Sequence, residues 1–135
     1  MGKVNAETAM KEVHQWLEHK KVDDDVIEAN KDNIETLAKH ISNGNLIVDE
    51  SFNLVYTLKW PIEDQDGGIV CDKLVFKPRL KVGDIQTRTA NIKATDAFAL
   101  ISAYVSALTS QNTGIIKQLD SGDYKTAQAI VTFFL

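Results

Sequence analysis

Histidine and cysteine are the residues most often used for catalysis or metal binding, and this sequence contains three histidines and one cysteine. His14 and His19 lie five positions apart in a predicted helix and face different sides, whereas a zinc-binding helical pair needs a spacing of four. His40 lies near the end of a second predicted helix, where a solvent-facing cation is favourable. Cys71 lies in a predicted strand without a histidine motif. We therefore predict three surface histidines, and a cysteine that acts as a small buried hydrophobic residue.

Carboxylates are plentiful, and the segment Asp64-Gln65-Asp66-Gly67 resembles the start of a calcium-binding loop. An EF-hand would place a third ligand two residues after Asp66 and a glutamate at position twelve, but Gly68 and Val75 occupy those positions. The sequence also lacks a phosphate-binding P-loop, a dinucleotide-binding glycine motif and a nucleophile elbow. We therefore expect no enzyme, no catalytic residue, no metal site and no cofactor.

A row of basic residues is the first feature that could bind a partner. Lys73, Lys77, Arg79 and Lys81 alternate along the third predicted strand and would share one face or edge. Such a ladder could contact an acidic partner or a phosphate backbone. Lysines on an edge strand more often prevent aggregation between sheet edges, so both interpretations stay open.

The apolar segment from Ile130 to Leu135 is the second such feature. One core-facing helical stripe accounts for Ile130, Val131 and Phe134, and it leaves Phe133 and Leu135 on other faces. These two side chains either fold back on the core or form an apolar surface for another protein.

The elements that position these residues begin with a helical hairpin. Apolar side chains at helical spacing predict helices over residues 6–20 and 26–42. Asn5 can cap the first helix, and the pair Asp25–Glu28 has the spacing of a capping box for the second. Gly44 tolerates a left-handed conformation and favours the end of that helix.

After Gly44 the apolar spacing changes to the alternation of β-strands, most clearly from Phe52 to Trp60, and Pro61 is expected to end that strand. Strands grouped together, with helices before and after them, predict an α+β fold. We expect a single domain, 1–135, in which a helical hairpin (1–44) precedes a small antiparallel sheet of about three strands with C-terminal helices packed on it (45–135). The other predicted elements are strands at 46–48 and 69–80, a short helix from 85, and helices near 97–108, 115–119 and 124–134. Thr95 or Asp96 can cap the helix near 97–108.

The composition restricts the environment and the class of partner. The chain has 135 residues, a net charge of −4 and a single cysteine. One cysteine cannot form an internal disulfide, so a reducing compartment is expected. No apolar run has the length of a membrane span, so no membrane association is expected. The mild acidity makes nucleic acid an improbable general partner.

Several segments in a fixed order carry a resemblance to a known family. An alternating strand runs into the corner Leu58-Lys59-Trp60-Pro61-Ile62, and an apolar-basic segment from Leu74 to Lys81 ends in the turn Val82-Gly83-Asp84. The later segments are Ala107-Leu108-Thr109-Ser110, then Ile116-Lys117-Gln118-Leu119-Asp120-Ser121-Gly122-Asp123-Tyr124, and a final helix. In order and spacing, the chain from about Leu54 to Leu135 resembles the tail assembly chaperones of long-tailed phages, particularly the Mu-like group. It departs from their pattern at Ser110, where glycine is expected, and in the added hairpin 1–44.

The resemblance implies a non-catalytic protein of the bacterial host cytoplasm that binds the phage tape-measure protein and helps the tail-tube protein polymerise around it. It makes two sets of residues candidates for contact with a client or with a second copy in a homo-oligomer: Tyr124, Phe133, Phe134 and Leu135 as one surface, and Lys73, Lys77, Arg79 and Lys81 as another. One alternative is a structural tail or baseplate component retained in the virion. A second is a small adaptor or nucleic-acid accessory protein that uses the basic segment Lys73–Lys81.

Overall fold

A computed structural model describes residues 3–135, and within them helices surround a small antiparallel sheet, which confirms the predicted α+β class. The helices before the sheet pair with each other, and the later helices pack on the sheet and on the first group. The elements are α1 (Ala6–Lys20), α2 (Asp24–Ala29), α3 (Lys31–Asn43), β1 (Leu46–Val48), β2 (Leu54–Glu63), β3 (Ile69–Phe76), α4 (Val82–Thr89), α5 (Ala97–Thr109), α6 (Thr113–Ile116), α7 (Ser121–Val131) and a 3₁₀ turn (Thr132–Phe134).

The three strands lie in the order β1-β2-β3, and each neighbouring pair is antiparallel. Tyr56 pairs with Leu74, and both side chains are fully buried on the inner face of the sheet. On the outer face, Val55 lies between Ile47 of β1 and Val75 of β3. The strands therefore keep the period-two alternation expected of a sheet that is covered on one face.

One hydrophobic core joins the hairpin region, the sheet and the C-terminal helices. Helix α3 packs against α1, α7 and β1, while α5 and α7 cover β3 and β2. The largest buried side chain is Trp16 of α1, whose ring meets Phe133 edge to face at 5.9 Å. Burial of aromatic rings contributes much of the stability of a core of this size.

Local capping signals are confirmed at several helix ends. The Asn5 side chain accepts a hydrogen bond from the amide of Thr8 at 2.8 Å, and Gly44 ends α3 with φ of 87°. Asp96 caps α5 by accepting from the amide of Ala99 at 3.0 Å. Each of these interactions connects residues within a few positions of one another, so the sequence pattern alone contains the information.

The predicted helix 26–42 is wrong in one respect, because it is two helices separated at Asn30. The backbone of Asn30 leaves the helical region, with φ −123° and ψ 33°, and its side-chain amide donates to the Val26 carbonyl at 2.8 Å. The expected capping box is absent among the described residues, since Asp25 accepts only from the adjacent amide of Val26, and Glu28 pairs instead with Lys31. Asparagine competes with the helical backbone for hydrogen bonds, which explains the break.

The long strand is displaced relative to its prediction. Phe52 lies in a turn with φ of 62°, because the Asp49 carboxylate accepts from the amides of Ser51 and Asn53 and delays the strand to Leu54. The strand then passes through Pro61 to Glu63 by way of an irregular bulge. Residues 58–61 at this bulge stand opposite a single residue of β3, so the strict alternation is lost there.

The predicted strand 69–80 also extends too far along the chain, because β3 ends at Phe76. The strand stops at Phe76 because the next amide, that of Lys77, donates to the Leu108 carbonyl at the end of α5 at 3.1 Å. Pro78, which has no amide proton, follows outside the strand. Helix α4 then begins at Val82, so the predicted turn Val82-Gly83-Asp84 is its first turn, and the Asp84 carboxylate accepts from the Lys81 amide.

Candidate protein-binding site

A groove of about 410 Å³ lies between the start of α5, the short helix α6 and α7. Its floor and walls are mainly apolar, and two lysines and two other polar side chains lie on it. The lining residues are Ala97, Phe98, Ile101, Ile116, Lys117, Leu119, Ser121, Tyr124, Lys125 and Gln128. Volume and lining are in the range of sites that hold a small ligand or the side chains of a docked helix.

Two stacked aromatic rings form one wall of the groove. Phe98 and Tyr124 lie parallel, with ring centroids 4.7 Å apart and an interplanar angle of 5°. The Tyr124 hydroxyl lies 3.2 Å from the Ser102 hydroxyl and 3.3 Å from the Phe98 carbonyl oxygen, to which it can donate. These contacts fix the Tyr124 ring, while Phe98 remains 67% exposed. The wall is thus an ordered apolar surface that faces solvent, a feature common in interaction sites.

Tyr124 is the one predicted contact residue that the structure places in this groove. Phe98 was missed, because its spacing to Ile101 and Leu108 assigns it to the core-facing stripe of α5. The first turn of α5 projects past the core, so the same stripe becomes exposed there. No sequence pattern distinguishes such a position from a buried one.

Phe133 and Leu135, which are expected either to fold back on the core or to form an apolar surface together, differ from each other in the structure. Phe133 is only 7% exposed and lies in the core, so a partner cannot reach it in this fold, and its proposed contact role is corrected. Phe134 is half-buried against Trp16, at 6.1 Å between ring centroids. Leu135 alone is open to solvent, with 71% of its surface exposed. The 3₁₀ turn after α7 rotates Phe133 inward, a change that simple helical spacing does not predict.

The predicted basic ladder is also wrong as a strand feature. Lys73 lies in β3, on its outer face, but Lys77, Arg79 and Lys81 follow the end of the strand. All four side chains are exposed, yet they do not lie along one strand edge. The predicted strand 69–80 ends at Phe76, because the Lys77 amide bonds to the Leu108 carbonyl and Pro78 has no amide proton to donate.

Arg79 instead lies in a polar cleft beside the end of α1, with Glu18, His19, Lys20 and Lys21. The Lys20 ammonium donates to the Pro78 carbonyl at 3.1 Å and lies 3.4 Å from the centre of the Phe134 ring. Burial, followed by the nearby positive charge of Arg79, lowers the pKa of Lys20 to about 8. The cleft thus brings like charges together.

Asp123 is an important residue that the sequence interpretation did not assign to the interior. Its side chain has no exposed surface, and it accepts hydrogen bonds from the Tyr56 hydroxyl at 2.7 Å and from the amides of Lys59 and Trp60 at 3.1 Å each. The two amides belong to the β2 bulge. Asp123 therefore connects the first turn of α7, one of the groove-forming helices, to the irregular part of β2. Burial, followed by smaller contributions that include the carboxylate of Asp123, raises the pKa of Tyr56 to about 12.

His40 extends this polar cluster and corrects the prediction that all three histidines are surface residues. Its ring nitrogens lie 3.1 Å from the Asn45 side-chain oxygen and 3.2 Å from the Thr126 hydroxyl, and its ring meets Tyr56 edge to face. Burial lowers the pKa of His40. His14 and His19 are exposed as predicted, although His19 stacks on the Phe52 ring.

The cysteine prediction is confirmed, because Cys71 is buried and its burial raises the pKa of the thiol. Within residues 3–135, histidine, cysteine and carboxylate side chains form no group of three that could hold a metal ion. No helix in the same part of the chain is long and apolar enough to cross a bilayer.

Comparisons with known proteins add no relative to these observations. No protein-family model, no curated protein and no solved structure matches this chain.

Proposed function

We propose that this protein is a non-catalytic tail assembly chaperone of a long-tailed phage. In this role it binds the tape-measure protein in the host cytoplasm and assists polymerisation of the tail-tube protein. The observation that carries the proposal is the preformed apolar groove with its exposed aromatic wall, in a chain whose later segments resemble that family. A groove of this kind suits reversible docking of an apolar segment that would otherwise aggregate.

Two of the segments that carry the resemblance have identifiable roles in the fold. The corner Leu58–Ile62 contains the β2 bulge, and the segment from Ile116 to Tyr124 supplies part of the groove lining and the buried Asp123. Asp120 caps α7 by accepting from the Gly122 amide at 2.9 Å. The polar residues Asp120 and Asp123 of this segment are therefore explained by the folding of α7, and Tyr124 is its candidate contact residue.

The experiment is co-expression of the tagged chain with the tape-measure protein and the tail-tube protein encoded in the same phage genome. We expect the tape-measure protein to stay in the supernatant and to co-purify with the wild-type chain. The variant Phe98→Ala removes an exposed side chain of the groove wall and should reduce this recovery. Val82→Ala, at an exposed apolar residue outside the groove, is the matched control and should retain it.

Equal recovery of the tape-measure protein with and without the chain would contradict the proposal. Mass spectrometry of purified particles tests the structural alternative, because a chaperone leaves the assembly whereas a tail or baseplate component remains in stoichiometric amounts. The adaptor or nucleic-acid alternative loses its main premise, since Lys73, Lys77, Arg79 and Lys81 do not form one basic strand.

A further inference from the structure

The rim of the apolar groove carries two lysines. Lys117 follows directly after α6, Lys125 lies on α7, and both side chains are exposed. Within residues 3–135 the single ion pair is that between Lys31 and Glu28. Neither rim lysine therefore has an acidic side chain of this part of the chain within ion-pair distance. The groove therefore combines an apolar floor with positive charge at its border that the fold itself does not neutralise.

We propose that this groove binds an amphipathic helix of another protein, one whose apolar stripe is bordered by aspartate or glutamate side chains. The inference rests on the proposed function, because it specifies the kind of client segment that the chaperone would take. Apolar residues at positions i, i+3, i+4 and i+7 of such a helix would cover the floor and the Phe98 ring. Its carboxylates would then meet Lys117 and Lys125 at the rim.

Charge complementarity separates this occupant from others. A helix with a basic border would place like charges against both lysines, which disfavours binding. A nucleic acid would gain two phosphate contacts but would have to cover a floor formed mainly by apolar side chains such as Ile101, Ile116 and Leu119. An acidic amphipathic helix satisfies both parts of the site.

The test uses two designed peptides that share one leucine stripe at helical spacing and differ only in the residues that border it, glutamate in one and lysine in the other. Each is titrated into the ¹⁵N-labelled full chain, and binding is followed by NMR shifts. We expect the glutamate peptide to shift the amides of the groove-lining residues and to bind about tenfold more tightly than the lysine peptide at low ionic strength. The difference should shrink in high salt because rim charges are screened.

The reciprocal variant Lys117→Glu/Lys125→Glu should reverse the preference between the two peptides. Lys11→Glu/Lys93→Glu makes the same change in net charge at exposed residues outside the groove lining and should leave the preference unchanged. Phe98→Ala should weaken both peptides, since they share the apolar stripe.

Equal affinity for the two peptides, shifts located outside the groove, or a self-association of the chain that Phe98→Ala abolishes would each overturn the inference. The two proposals fail in distinguishable ways. Retention of the tape-measure protein by both Phe98→Ala and the rim charge reversal would refute the groove assignment and leave the chaperone role intact. Preference for the glutamate peptide without any effect on the tape-measure protein would refute the chaperone role alone.

Discussion

Replacement of Asp123 by asparagine tests how the C-terminal helices are held on the sheet. The carboxylate is fully buried and accepts from three donors, the Tyr56 hydroxyl and the amides of Lys59 and Trp60. Asparagine keeps the size of the side chain but replaces one acceptor oxygen by a donor group. At least one of the three donors then faces an NH₂ group and loses its partner.

The magnitude follows from these contacts. A hydrogen bond to a charged group contributes about 1.5–3 kcal/mol, and a buried donor left without an acceptor costs about 1–3 kcal/mol. The Lys59 and Trp60 amides are only partly buried, so water can compensate for part of their loss. We therefore expect Asp123→Asn to lower the free energy of unfolding by about 3 kcal/mol, a large share of the roughly 5–15 kcal/mol typical of a domain.

The assay is urea unfolding followed by tryptophan fluorescence, combined with amide hydrogen exchange. Exchange at Lys59 and Trp60 should accelerate selectively in Asp123→Asn, because these amides lose their acceptor. Asp120→Asn is the matched control at the same end of α7, where asparagine caps as well as aspartate, so its unfolding free energy should stay within about 0.5 kcal/mol of wild type.

A double-mutant cycle with Tyr56→Phe measures the coupling between the hydroxyl and the carboxylate, which we expect to exceed about 0.5 kcal/mol. If Asp123→Asn is as stable as Asp120→Asn and the two bulge amides keep their protection, the carboxylate does not hold the bulge and the reasoning is refuted.

Two further predictions concern the aromatic C-terminus and the half-buried His40. Phe133→Ala should lower the free energy of unfolding by about 3–5 kcal/mol because it leaves a cavity beside Trp16. Leu135→Ala, at an exposed position, should change it by less than about 0.5 kcal/mol. Similar effects of the two variants in urea unfolding would contradict the core assignment of Phe133. The lowered pKa of His40 means that the unfolded chain binds a proton more readily than the folded one, so stability should fall as the pH drops through the unfolded-state value of about 6.5. Urea unfolding between pH 5 and pH 8 should show this slope, which His40→Gln should reduce and the control His14→Gln should retain; an unchanged slope in His40→Gln would assign the effect to other groups.

Features that depend on neighbouring residues could be predicted from the sequence. Asn5, Gly44 and Asp96 act on backbone groups within a few positions, and their side chains or conformational freedom determine the local structure wherever the helix lies. The alternation from Leu54 to Leu58 likewise predicts the inner face of β2.

Features that depend on distant partners could not be predicted in the same way. The interior position of Asp123 depends on the bulge amides of Lys59 and Trp60, which need an acceptor. The sequence around Asp123 has the ordinary pattern of a polar first helical turn, so it does not indicate burial. The groove has the same origin, because the exposure of Phe98 depends on where the core ends rather than on the spacing within α5. Sequence periodicity predicts which side of a helix or strand faces the core. How deeply each residue on that side is buried depends on what packs against it.

The contact between Trp16 and Phe133 has a consequence for the order of events during synthesis. Trp16 lies in α1, but the ring that covers its edge lies in the 3₁₀ turn after α7, which is made much later. A nascent chain must therefore keep a large apolar side chain without its final partner until translation has passed Phe133. Contacts between such distant positions form late and favour a single cooperative folding step over stepwise folding of the N-terminal part.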